Sequence, residues 1–263
     1  MNAAYPGIRV TERAPLDPGP CGAGWVEIAA LATGGAAGDG FLDWDERQIL
    51  RDYGAPARPD VTAGFGLHRY LWSACLLFSA PWFLDRRVPR LSVDRVAFHR
   101  EDGHFDVRVD SFACLPDDPA AHLPGAHVVP NEEALRAELR AAVAEHAEPL
   151  LTGLGRRARR GRRALWALVT DDLAESLLYL GTALGEPERA RAELALLLPG
   201  ATAPYVGGHG FRELTAPDGT KVAHRDRVSC CLFYTIRPED LCVTCPRICD
   251  SDRAALLLAA ETA

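Results

Sequence analysis

Arg227-Val228-Ser229-Cys230-Cys231-Leu232-Phe233-Tyr234, then ten residues from Leu232 to Leu241, then Cys242-Val243-Thr244-Cys245-Pro246: this stretch gathers four of the chain's eight cysteines into sixteen positions. Thiolates are soft, strong ligands for zinc and for iron–sulfur clusters, and four of them complete either kind of site. A C-x-x-C turn brings two sulfurs toward one metal, with backbone amides placed to hydrogen-bond to sulfur. The adjacent pair Cys230-Cys231 is less usual. Zinc ribbons pair two C-x-x-C knuckles around one tetrahedral ion. Neighbouring residues on a regular strand point to opposite faces, so both cysteines can ligate only where the backbone leaves strand geometry. A two-iron cluster has two metal atoms to satisfy, and the spacing favours it over zinc.

Upstream of the cysteines, Phe211 to Leu214 and Lys221 to Val228 flank Pro217-Asp218-Gly219, a hairpin signal. A stronger one lies at Leu91 to Asp110, where Phe105, Val107 and Val109 alternate after the turn Glu101-Asp102-Gly103-His104. Between the hairpins the periodicity turns helical. Asn131 is placed to cap a helix carrying Leu135, Leu139 and Val143, which Pro149 is expected to end or bend. A second long helix is predicted over Arg160 to Leu184, stopped by Gly185 and Pro187, and a third over Glu188 to Leu198. Further upstream, Leu67 to Phe83 reads as a buried helix ended or kinked near Pro81, and Asp43 to Tyr53 as a brief one. Trp25 to Thr33 is expected to be a short strand or helix, Asp117 to Pro130 a loop with an edge strand at His127 to Val129, and residues 1 to about 40 partly irregular.

These elements predict an α+β fold: a helical bundle packed with a small antiparallel sheet made of the two hairpins. Residues 1–224 are expected to form a single globular body, and residues 225–263 a cysteine-rich segment with a terminal helix. A chain of 263 residues, 48% hydrophobic and 25% charged, has ample apolar content for a core. Its net charge of −7 argues against generic nucleic-acid binding. Met1 to Pro20 has no apolar run of the secretory kind, and Leu71 to Leu84 is interrupted by Ser73, Ser79 and Pro81, so neither export nor stable membrane insertion is expected. A cytoplasmic location follows as the expectation. Thiols stay reduced there, which favours metal or redox chemistry over disulfides.

The segment from Arg227 to Tyr234 with Cys242-x-x-Cys245-Pro246 resembles the C-terminal signature of the FhuF-type ferric siderophore reductases. The resemblance covers about twenty residues and implies a [2Fe–2S] cluster held by Cys230, Cys231, Cys242 and Cys245. It further implies one-electron reduction of siderophore-bound Fe(III) to Fe(II) in the cytoplasm, with no catalytic residue beyond the cluster. The electron source is expected to be external, a ferredoxin or a flavoprotein reductase, because no G-x-G-x-x-G follows a strand. Cys249, four residues past Cys245, falls outside the pattern and is expected to be unliganded. Two rival readings remain: a zinc- or cluster-stabilised binding module without redox activity, and an electron-transfer subunit for another enzyme.

Other features carry weaker expectations. The basic run holds Arg156, Arg157, Arg159, Arg160, Arg162 and Arg163, either a solvated helix start or a docking patch for an anionic siderophore or an acidic ferredoxin. His209 and His224 lie closest to the cysteines, but four thiolates leave no vacancy for a histidine ligand. His224 near the cluster would couple electron transfer to pH. Trp72, Trp82, Trp166 and Tyr179 fall on apolar helical stretches and are expected in the core, as is Cys75, while Cys21 and Cys114 are isolated.

Overall fold

The computed structural model of the chain describes residues 8–14, 17, 19–20, 22–200, 202–207, 210–239, 242 and 244–261; Cys21 and His209 lie outside them. In chain order the strands and helices are β1 (Arg9–Glu12), β2 (Trp25–Glu27), α1 (Ile28–Thr33), α2 (Gly35–Tyr53), α3 (Pro59–Asp85), β3 (Arg87–Pro89), β4 (Val96–His99), β5 (His104–Val107), β6 (Phe112–Cys114) and β7 (Ala126–Val128). There follow α4 (Glu132–Gly153), α5 (Arg162–Ala183), α6 (Pro187–Leu197), β8 (Phe211–Thr215), β9 (Lys221–Arg225) and α7 (Asp250–Glu261). The α+β class is as the sequence predicts. Among the described residues no helix is long and apolar enough to cross a membrane.

Local signals hold where they are strongest. The Asn131 side chain accepts a hydrogen bond from Ala134 N–H (2.9 Å), capping α4. Gly103 (φ 59°) and Gly219 (φ 86°) supply the left-handed residues of the two hairpin turns. Phe98 stands opposite Phe105 across β4–β5, their rings stacked 4.5 Å apart inside the core.

Several boundaries move. The helix expected from Asp43 begins at Gly35, because Phe41 and Leu42 bury one face of that glycine-rich stretch. Glycine serves close packing here: a Cβ on Gly153 would collide with the Ala32 carbonyl where α4 meets α1. Neither Pro81 nor Pro149 ends its helix. Each forfeits a backbone hydrogen bond at a cost of about 3 kcal/mol. Continuing the helix buries Trp82 and Phe83 after the first proline and Leu150 and Leu151 after the second, at about 1.5–3 kcal/mol per large side chain.

The two hairpins do not build one antiparallel sheet. Strands β4 and β5 sit in a four-stranded sheet of order β1-β5-β4-β2, with β1 parallel to β5. A second sheet has the order β3-β6-β7, with β7 parallel to β6, and β8–β9 stand apart as a two-stranded ribbon. Trp82 and Trp166 are in the core as expected. Trp72, however, is half-buried and Tyr179 is 38% exposed, their rings edge to face at 5.4 Å across α3 and α5.

Beside the main core, two smaller clusters dock the C-terminal region. Ile49, Val61, Phe65 and Ile236 form one, with Tyr53, Cys231, Leu232 and Phe233 packed against it. Leu214, Ala216 and Ala254 form the other, joining α7 to the β8–β9 ribbon. The cysteine segment is thereby held between the start of α3 on one side and α7 on the other.

Candidate metal centre

The chain leaves strand geometry at Arg225, and five residues later Cys230 and Cys231 lie in irregular backbone. Leu232 then adopts a left-handed conformation (φ 63°, ψ 17°), and residues 233–235 make a 3₁₀ turn. This departure is what two adjacent ligating cysteines require. The strain of a non-glycine residue at positive φ, about 1–3 kcal/mol, is met by docking: Phe233 packs on Tyr53 (5.0 Å) and Phe65 (6.4 Å).

All four cysteines of the predicted set are brought together. Cys231 and Cys242 lie within each other's electrostatic reach, and Cys230 lies in the field of both Cys231 and Cys245. Backbone amides point at two of the sulfurs: Leu232 N–H at Cys230 (3.5 Å) and Phe233 N–H at Cys231. On the other arm, Cys245 N–H donates to the Cys242 carbonyl (2.8 Å), closing the C-x-x-C turn. Cys245 is buried, while Cys230, Cys231 and Cys242 are half-buried. Cys249 is exposed and its thiol meets the Ser251 hydroxyl at 3.1 Å. Cys75 and Cys114 are buried in the body.

The interaction with Cys242, the Phe233 amide and the charges of Arg227 and His68 outweigh burial and bring the Cys231 thiol down to about 5. Its partner Cys242 is pushed up by the same interaction and by burial. Burial raises Cys230.

Two charged residues of the body and one of the terminal helix fix the cysteine-bearing stretch. Asp171 of α5, 1% exposed, accepts from Val228 N–H (3.1 Å), Ser229 N–H (2.8 Å), Ser229 Oγ–H (2.6 Å) and the Arg225 guanidinium (3.0 Å). Arg160, from the turn between α4 and α5, donates to the Cys230 carbonyl (2.6 Å). Arg253 of α7 donates to the carbonyls of Cys245 (2.8 Å) and Ile248 (3.0 Å). Next to Asp171, Asp172 is fully buried and accepts from His68 Nδ1–H at 2.5 Å. Burial opposes charge on His68, but the Asp172 carboxylate overrides it and raises the histidine above its usual value. Neither His68 nor the two aspartates is marked in the sequence, since they sit on apolar helices far from the cysteines.

His224 lies on the strand that leads into the cysteine segment. It is buried on β9 against Asp226 (3.5 Å), among Arg253, Arg212 and Arg225. His68 is the histidine whose charge bears on a cysteine. The basic run is not one patch. Arg160 turns inward, Arg157 pairs with Asp39 and Arg162 with Glu148, and Arg156, Arg159 and Arg163 are exposed. Arg156, Arg157 and Arg159 line a recess of about 440 Å³ that they share with Asp39, Asp43 and Glu46.

A cavity of about 610 Å³ is lined by Leu77, Pro81, Leu84, Val107, Phe112 and Leu123 among others. Those α3 residues lie 9–16 positions beyond His68, roughly 14–24 Å along the axis at 1.5 Å per residue. It belongs to the opposite end of α3 from the cysteines.

The donor set suits a binuclear group. Four thiols with amide N–H groups aimed at sulfur are the surroundings of a [2Fe–2S] cluster. No curated protein matches the chain. Residues 227–247, which include all four cysteines, match the family model described as the FhuF 2Fe-2S C-terminal domain. The match is confined to that segment and supports a [2Fe–2S] cluster as its cofactor.

Proposed function

We propose that this chain is a cytoplasmic ferric siderophore reductase, with residues 1–224 as its body and the cluster held in residues 225–263 by Cys230, Cys231, Cys242 and Cys245. The single observation that carries the reading is the convergence of those four thiols, with amide donors to two of them, inside the segment that matches the FhuF 2Fe-2S domain. When bound there, the cluster supplies one-electron chemistry.

The protein's own part is to keep the thiols together, limit solvent on one side and leave the other open. Three half-buried cysteines leave a route for both electron donor and substrate. A siderophore holds Fe(III) through hard oxygen donors, and these grip the lower-charged, softer Fe(II) far less tightly. One electron delivered to the ferric complex therefore releases the iron with no proton transfer required of a side chain. The electron comes from an external donor, a ferredoxin or a flavoprotein reductase. Exposed Arg156, Arg159 and Arg163, on the turn whose Arg160 touches Cys230, are the docking candidates for an acidic partner or an anionic siderophore.

Anaerobic purification with absorption, iron, sulfide and zinc analysis on one sample tests the cofactor. About two irons and two sulfides per chain, with visible bands bleached by dithionite, are expected. Reduced protein should then reoxidise on adding a ferric siderophore, with Fe(II) trapped by a ferrous chelator. A colourless protein with one zinc refutes the redox reading. A bleachable cluster that ferric siderophores leave reduced points instead to an electron-transfer subunit.

A further inference from the structure

Three arginines approach the cysteine segment, and their surroundings differ. Arg253 is paired with Asp250 (2.8 Å), and Arg227 lies 3.6 Å from Asp171 with Asp172 and Glu175 also in its field. Their positive charges are largely offset by these carboxylates. Arg160 has no carboxylate within ion-pair distance among the described residues. Its Nη1 donates to the Cys230 carbonyl at 2.6 Å, and its Nη2 is buried without a hydrogen-bond partner. The side chain lies along α3 at Gly64, where a Cβ would stand 3.7 Å from Nη2, so the guanidinium is packed between that helix and the cysteines. Arg159, left-handed at φ 51°, is where the turn sends one arginine outward and the next inward.

Resting on the cluster reading above, we infer that Arg160 is a positioning residue that raises the reduction potential of the centre, through an unneutralised charge bonded to the Cys230 carbonyl. Reduction adds one negative charge to a group that four thiolates already make anionic. A fixed cation beside it stabilises the reduced form more than the oxidised form. Bonding to the carbonyl also polarises the Cys230–Cys231 peptide and fixes the cation's distance. At an effective dielectric constant of about 20, Coulomb's law gives a change of about tenfold in the electron-binding constant for one charge at a separation of roughly 12 Å. Arg253, already neutralised by Asp250, should act on the segment's hold and not on its potential.

The experiment is redox titration of the purified holoprotein and of Arg160→Gln, Arg160→Lys and Arg253→Gln, with iron and sulfide counted in each. Arg160→Gln is expected to keep its iron and to fall by about 59 mV, which is tenfold for one electron. Arg160→Lys, which keeps the charge, should recover most of that shift. Arg253→Gln should lose iron faster at an unchanged potential. An Arg160→Gln potential equal to wild type at full iron content overturns the inference and leaves the cluster reading intact. Loss of the cluster from Arg160→Gln also overturns it, since Arg160 would then hold the segment without setting its field. Wild-type protein lacking a cluster refutes the reading on which the inference rests.

Discussion

Asp171→Ala should loosen the cysteine segment from the body more than any other single change outside the cysteines. The carboxylate is 1% exposed and takes four hydrogen bonds, three of them from Val228 and Ser229, immediately before Cys230. Charge-assisted bonds of this kind contribute about 1.5–3 kcal/mol each. Their loss is not additive: Val228 is half-buried, so water can reach its amide, and Arg225 keeps its ion pair with Glu175. Ser229 is buried, so its amide would be left unsatisfied. Breaking a buried charged pair from one side costs about 3–5 kcal/mol, and the same range is expected here. At 2–4 °C per kcal/mol for chains of about this size, Tm should fall by roughly 10 °C. Denaturation followed by circular dichroism measures the loss, and visible absorption per chain measures retention of the centre. Asp171→Asn, which restores one accepting oxygen and sets an amide N–H against the donors, should fall between. If Asp171→Ala loses less than about 1 kcal/mol and keeps full absorption, the anchoring argument is wrong.

Serine in place of any one of Cys230, Cys231, Cys242 or Cys245 should abolish the visible absorption, whereas Cys249→Ser should leave it intact; full absorption in any of the first four refutes that ligand. His146 gives a pH dependence. Its Nδ1–H donates to the Leu91 carbonyl (2.7 Å) and its Nε2 accepts from the Tyr70 hydroxyl (2.8 Å), and burial pulls it down to about 4 from 6.5. The unfolded chain therefore takes up this proton near pH 6.5 and the folded chain only near 4. Stability falls as pH drops through that window, by about 3 kcal/mol in all, and this contribution levels off below it. An NMR titration placing the His146 midpoint near 6 would contradict this.

Much of the cysteine site was legible because its signal is local. Spacing along sixteen residues names the four thiols, and the adjacent pair already demands the break in strand geometry that Leu232 provides at φ 63°. The hairpin turns and the Asn131 cap are local for the same reason: each is settled by a few neighbouring residues competing for φ > 0 or for an orphan amide. Helix ends were less legible. Pro81 and Pro149 are strong local stop signals, yet burial of the side chains that follow them outweighs the lost hydrogen bond.

By itself, then, the sequence determined the α+β class, the order of most helices, both hairpins and the four-cysteine set. Tertiary structure alone decided which residues surround those cysteines. Asp171, Asp172 and His68 sit on helices whose periodicity reads only as core, and the register of α5 on α3 turns them toward the segment. It also chose Arg160 from six similar arginines, paired β1 with β5 in parallel across ninety-odd residues, and left Tyr179 at the surface. The reason is common to all of these. Pattern along a chain encodes what a residue does to its own backbone and which face it buries. Which charges end up within a few ångströms of one another depends on how separate elements pack, and that is settled only when the core closes.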